Sequence, residues 1–183
     1  MPFEIQKAPI DGLVILKPAV FKDARGYFKE TYQKKDLYNA GIQEDFVQDN
    51  LSFSQYKALR GLHFQCPPHG QGKLVSVLLG TVKDVVVDIR KSSPTYGKYF
   101  EIILSDENHY LFYIPPGFAH GFVVLSPQCI FSYKCTNYFN KSSEGGLLWN
   151  DPNLNINWEI EEPIISEKDT VYPTFESFTS PFE

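Results

Sequence analysis

Apolar residues come in short runs along this chain, separated by Gly, Pro, Asn and Asp, which is the punctuation of strands and tight turns. Val14-Ile15-Leu16, stopped by Lys17-Pro18, predicts an early strand. Asp23-Ala24-Arg25-Gly26 is turn chemistry, and the aromatic and β-branched stretch Tyr27 to Tyr32 reads as the strand after it. Lys34 to Ala40, closed by Gly41, is the best helix candidate, and it is short. Phe46 to Phe53 and Leu59 to Cys66 read as strands, with Pro67 to Gly72 as a loop. Lys73 to Leu79 and Val82 to Ile89, joined at Gly80-Thr81, predict a hairpin of buried strands. Turns at Ser93 to Gly97 and Ser105 to Asn108 enclose a strand at Tyr99 to Leu104. His109 to Ile114, Val123 to Leu125 and Ile130 to Tyr138 continue the series. Beyond Asn140 the pattern loosens, yet Trp149, Trp158, Val171, Tyr172 and Phe175 are too apolar for a free end and predict a packed tail. Strands at this spacing predict an all-β antiparallel sandwich or barrel.

One strand has its pattern reversed. In Leu62 to Cys66 the apolar positions alternate with His63 and Gln65, so His63 and Gln65 share a face. Around it lie Gln48-Asp49-Asn50, Arg60-Gly61 and Gln71-Gly72-Lys73. Polar groups on an otherwise apolar strand cost free energy unless they are paired, so a site, with His63 and Gln65 facing a lined cavity inside a barrel, is the simplest expectation.

Composition narrows the classes. Of 183 residues, 43% are hydrophobic and 21% charged, which suits one globular domain. Aromatics at 15% favour strands and aromatic-lined pockets. A formal net charge of -5 argues against nucleic acid as the main partner, although a few local Arg and Lys suffice for one small anion. Cys66, Cys129 and Cys135 are odd in number and lack metal spacing, which suggests a reducing cytoplasm. Met1 to Ala8 has no apolar run of the signal-peptide kind, and no stretch approaches membrane-spanning length.

Three chemistries compete. Pro115-x-Gly117-x-x-His120 resembles the second motif of metal-binding cupin barrels, but the His-x-His pair and nearby Glu of such sites are missing around His63. Cys66 and Cys135 lack a nucleophile elbow or oxyanion loop and read as small buried thiols. Acid and base chemistry without a cofactor needs a base, an orienting carboxylate, an opposing acid and a cation where negative charge develops. His63, Asp169, Tyr133 and Lys73 offer those groups, but spacing alone does not bring them together.

Nine blocks in order resemble the dTDP-4-dehydrorhamnose 3,5-epimerase family: Asp23-x-Arg25-Gly26-x-Phe28-x-Glu30, Gln48-Asp49-Asn50, Arg60 to Gln65, Gly72-Lys73-Leu74, Asp84 to Arg90, Pro116 to Phe122, Tyr133-Lys134, Trp149-Asn150-Asp151 and Ser166 to Asp169. The resemblance implies a single domain over 1–183, a cupin-type β-jelly roll with its core at about 45–140, N-terminal strands, short peripheral helices and a packed C-terminal tail. It implies a cytoplasmic homodimer without cofactor or metal, with no nucleic-acid or membrane partner. Its substrate would be a dTDP-linked 4-keto-6-deoxyhexose, inverted at C3 and C5 on the route to dTDP-L-rhamnose for cell-envelope polysaccharide. A relative that inverts C3 alone or acts on another NDP-4-keto sugar is the alternative, with a metal-dependent cupin enzyme or a sugar-nucleotide binder without turnover more distant. By the same resemblance His63 is the base, Asp169 its orienting carboxylate, Tyr133 the acid and Lys73 the cation near the enolate oxygen. Arg25, Phe28 and Glu30 would reach the nucleotide across a dimer interface. Gln48, Asp49, Asn50, Arg60, His120, Glu144 and Lys168 would make further substrate contacts. Lys141-Ser142-Ser143 departs from the proline-containing loop of that pattern, and His69 is left without a role.

Overall fold

The computed structural model describes residues 3–183. In chain order they form β1 (Glu4–Lys7), β2 (Val14–Lys17), β3 (Val20–Asp23), β4 (Gly26–Lys29), the helix α1 (Lys34–Asn39), β5 (Gln48–Gln55), β6 (Leu59–Gln65) and β7 (Lys73–Leu79). Then follow β8 (Thr81–Asp88), β9 (Tyr99–Ser105), β10 (Leu111–Ile114), β11 (Phe118–Val124), β12 (Gln128–Cys135) and β13 (Glu144–Gly146). Short 3-10 turns lie at Lys141–Ser143 and Glu167–Thr170. One antiparallel sheet has the order β1-β2-β10-β7-β12-β5, the other β13-β6-β11-β8-β9, and β3 and β4 pair only with each other. Two antiparallel sheets packed face to face make the expected jelly-roll sandwich.

Between the sheets Val75, Val77, Phe112 and Phe131 meet Val82, Val86, Leu104, Phe122 and Val124, all buried. Phe122 and Phe131 stack across the gap with centroids 4.1 Å apart. The outer face of the second sheet is covered by the tail: Leu147, Leu154 and Trp158 pack on Leu59, Leu62, Phe64, Val85 and Val87. The outer face of the first is covered by Phe3, Leu37 of α1 and Ile42. Strand β8 is therefore covered on both faces, and its run from Val82 to Val87 is buried throughout, Lys83 and Asp84 included. No helix among the described residues is long and apolar enough to cross a membrane.

Four local expectations need correction. First, β7 and β8 are not a hairpin. Strand β7 pairs with β10 and β12, and β8 with β9 and β11. Gly80 alone separates them, one residue fewer than a tight hairpin loop requires, and at φ +86 it carries the chain from one sheet to the other. Second, β11 begins at Phe118, not Val123, because the turn is completed by Gly117 at φ +96. Third, β4 stops at Lys29, short of Tyr32. Fourth, Val171 is 79% exposed and takes no part in packing the tail.

The pairing of β6 with β11 contains the irregularity that matters for the site. His63 lies opposite His120 and Arg60 opposite Phe122, so two residues of β6, Gly61 and Leu62, face the single Gly121. This is a β-bulge, and it requires a close backbone approach. A Cβ on Gly61 would stand 2.5 Å from the Gly121 Cα, and Gly61 also has φ +140. Gly61→Ala is accordingly expected to destabilise the fold by about 2–4 kcal/mol through crowding and a disfavoured φ. Thermal denaturation checks this, and an unchanged melting temperature would show that the bulge relaxes without loss.

Candidate active site

A cavity of about 570 Å³ opens between the sheets, lined by Arg60, His63, Lys73, His120, Tyr133 and Asp169 among others. The strand pattern explains most of this set. On β6, Leu62 and Phe64 turn outward into the tail-side core, which leaves His63 facing inward. Arg60 is three positions away and on a regular strand would face the opposite side. The extra residue at the Gly61 bulge reverses the alternation, and both side chains reach the same cavity. Lys73 opens β7, next to Cys135 of β12, and Tyr133 lies between Val75 of β7 and Asn50 of β5.

His63 Nε2 donates to Asp169 Oδ1 at 2.5 Å, joining β6 to the 3-10 turn Glu167–Thr170. Burial works against the Asp169 charge, but hydrogen bonds from His63, Ser166 and the Gly61 backbone outweigh it and hold the carboxyl below its usual range. With Nε2 as donor, the free lone pair of the imidazole is on Nδ1. Burial lowers the Lys73 ammonium, with partial relief from Cys135, Asp84 and Glu144. Burial also raises the Tyr133 phenol, so it keeps its proton. A second pair lies deeper, where His120 Nε2 and Asp84 Oδ2 are 2.8 Å apart; burial pushes His120 down and Asp84 up. Arg60 is held by Ser54 Oγ, which accepts from Nε at 3.0 Å, and by the Phe53 carbonyl. Fixed donors and cations around one cavity can stabilise an anion that forms beside a base.

Other expected residues fall into three groups. Gln48 and Asn50 line an adjoining cavity of about 260 Å³ that shares His63, Lys73, Tyr133 and Glu144 with the first. Glu144 and Lys168 pair with each other at the rim of the main cavity. Asp49 turns to the other face of β5, where Lys134 Nζ donates to it at 2.8 Å. Arg25 and Phe28 are on the β3–β4 hairpin and Glu30 just beyond it, away from this chain's cavity; Arg25 Nη2 donates to Asp23.

Some residues that shape the site carried no role in the sequence reading. Asp84 and Ser166 fall within blocks of the family resemblance but were given no part in the site, and Ser54 gave no signal. Gln65 shares the face of His63, as its spacing indicated, and anchors a loop. Its Nε2 donates to the carbonyls of His69 and Tyr138, and its Oε1 accepts from Asn140 N. His69 is bonded in turn to Ser143 Oγ at 2.8 Å, which gives it a structural place. Among the described residues no three His, Cys, Asp or Glu side chains converge as a metal site would require.

Comparison with known proteins identifies the family. The sequence model of the dTDP-4-dehydrorhamnose 3,5-epimerases matches residues 7–177. A protein of that name from Shigella flexneri is 49% identical over 164 residues, covering 89% of this chain and 91% of its own. The crystal structure of the dTDP-4-dehydrorhamnose 3,5-epimerase of Elizabethkingia anophelis NUHP1 superposes with a TM-score of 0.91 at 50% identity, covering 96% of this chain and 98% of that one. The dTDP-6-deoxy-D-glucose-3,5-epimerase of Legionella pneumophila Philadelphia 1, solved with dTDP-4-keto-L-rhamnose, gives a TM-score of 0.94 at 45% identity over 99% of this chain and 98% of its own. Matched along nearly its whole length in sequence and in fold, the chain belongs to the dTDP-4-dehydrorhamnose 3,5-epimerase family.

Proposed function

We propose that this protein inverts C3 and C5 of dTDP-4-dehydro-6-deoxy-D-glucose to give dTDP-4-dehydro-L-rhamnose. The observation that carries the reading is the hydrogen-bonded His63 and Asp169 pair, sharing one cavity with Tyr133, Lys73 and Arg60. The Legionella relative bound to dTDP-4-keto-L-rhamnose supports the choice of sugar nucleotide.

The C4 ketone acidifies the protons on both neighbouring carbons, because the electron pair left by either proton moves onto the C4 oxygen as an enolate. His63 takes the proton on Nδ1, and Asp169 stabilises the resulting imidazolium. Lys73 stands by the enolate oxygen, where a fixed charge stabilises the developing anion. Tyr133 then gives a proton to the opposite face of the carbon. The C–H bond broken by His63 is replaced by one formed from Tyr133, and imidazolium and phenolate exchange their protons with solvent before the second carbon reacts. The ketone is itself the electron sink, so the chemistry calls for no metal and no organic cofactor.

Arg60, His120 and Lys168 suit the diphosphate, and Gln48, Asn50 and Glu144 suit sugar and base hydroxyls and carbonyls. Asp49, with its side chain on Lys134, contributes through the main chain of β5. Arg25, Phe28 and Glu30 serve the nucleotide of a second copy. The β3–β4 hairpin supports this reading: a lone two-stranded ribbon is marginal, and this one exposes Phe21 at 49% and Phe28 at 62%. The three unpaired cysteines suit the cytoplasm.

NMR in deuterated water with the 4-keto substrate and no added metal tests the reaction. Deuterium is expected at C3 and C5 with wild type and at neither carbon with His63→Ala, which still binds dTDP. Label at C3 alone would point to a 3-epimerase.

The pH profile tests Lys73. Of the two groups that must stay protonated, burial raises Tyr133 and lowers Lys73, so the alkaline limb is assigned to Lys73. The rate constant kcat should fall as pH rises through a Lys73 pKa below the ordinary 10.5. Lys73→Arg keeps its charge at higher pH and should move this limb upward; an unmoved limb would assign it to another group.

Light scattering is expected to give twice the 21.0 kDa chain mass. A monomer at working concentration would remove the role assigned to the hairpin.

A further inference from the structure

The place beside the His63 imidazole is left open by the strand that borders it. On the β13 side the residue directly across from His63 is Gly146, and on the β11 side it is His120. Gly146 has no positive φ, so its backbone does not demand glycine. Space does: a Cβ there would lie 2.6 Å from the ring of Tyr172. Tyr172 occupies the volume that a side chain opposite His63 would otherwise fill. Its ring meets the imidazole edge to face, with centroids 5.8 Å apart and planes at 65°.

Tyr172 comes from the same segment as Asp169. It follows the 3-10 turn Glu167–Thr170, and Leu148 N–H donates to the carbonyl of Pro173 at 2.9 Å, which ties the segment to the chain leaving β13. The ring stands behind the cavity wall, against the imidazole rather than among the residues that line the main cavity. The imidazole is therefore fixed by a hydrogen bond at Nε2 and by a flat aromatic wall on one flank.

We propose that Tyr172 is a positioning residue, seated in the slot that Gly146 leaves open, whose ring holds the His63 imidazole in the orientation that presents Nδ1 to the substrate. The inference rests on the reading of His63 as the base. The ring does this work and the hydroxyl does not, and Gly146 is required so that the ring can stand where it does.

The test measures kcat and KM for deuterium wash-in, together with dTDP affinity, in wild type, Tyr172→Phe, Tyr172→Ala, Gly146→Ala and the double variant. Tyr172→Phe is expected to keep the wild-type kcat. Tyr172→Ala should lose on the order of tenfold or more in kcat, the scale of a misplaced catalytic group, with KM and dTDP affinity unchanged. Gly146→Ala should also lower kcat, but should cost far less when added to Tyr172→Ala, because the ring it would displace is gone. Tyr172→Leu, which keeps apolar bulk without the flat ring, is made alongside and should show the same loss even if the alanine variant does not fold. Wild-type kcat in Tyr172→Ala or Tyr172→Leu, equal loss in Tyr172→Phe, or effects of Gly146→Ala and Tyr172→Ala that simply multiply would each overturn the role of Tyr172. A wild type that exchanges neither proton would instead overturn the epimerase reading itself.

Discussion

Where β6 passes β11, two glycines bring the backbones closer than any side chain would permit, and one strand carries an extra residue. The composition of the cavity depends on that contact. Without the bulge, Arg60 and His63 would project from opposite faces of the sheet. With it, a cation and a base enter one cavity from the same strand, while Leu59, Leu62 and Phe64 still bury themselves on the tail side. A local backbone irregularity thus satisfies two demands at once, an apolar outer face and a polar inner one.

The interior polar groups make physical sense as pairs. His63 has Asp169, His120 has Asp84, and Arg60 has Ser54 and a backbone carbonyl. An unpaired charge at such depth would be neutralised or expelled. Lys73 is the informative exception: its charge is disfavoured by burial and only partly relieved by neighbours, which leaves it with most to gain from an anion forming in the cavity.

Much of this was legible from residue order. The reversed alternation of Leu62 to Cys66 located His63 and Gln65 on the cavity face, and short apolar runs with Gly and Pro punctuation indicated an antiparallel double sheet. The inward turn of Arg60 could not be read, because period-two reasoning assumes a regular strand. The exchange of sheets at Gly80 escaped for a related reason: two adjacent apolar runs look alike whether they pair or part. His63 and Asp169 are 106 positions apart, and no local pattern brings them within a hydrogen bond. Only the resemblance suggested that pairing. Asp49 shows the converse limit, since a motif of three polar residues on a strand must send one of them to the other face.

The C-terminal tail has two duties that are usually separate. It seals the outer face of the second sheet, ending where Phe182 and Ser180 dock beside Ile89 and Lys91, and on the way it delivers Asp169 to His63. Sub-global opening of that segment would leave the two sheets paired and the base without its partner. The chemistry of this molecule is therefore linked to its least sheet-like part, and turnover should report local unfolding of the tail well before the sandwich itself comes apart.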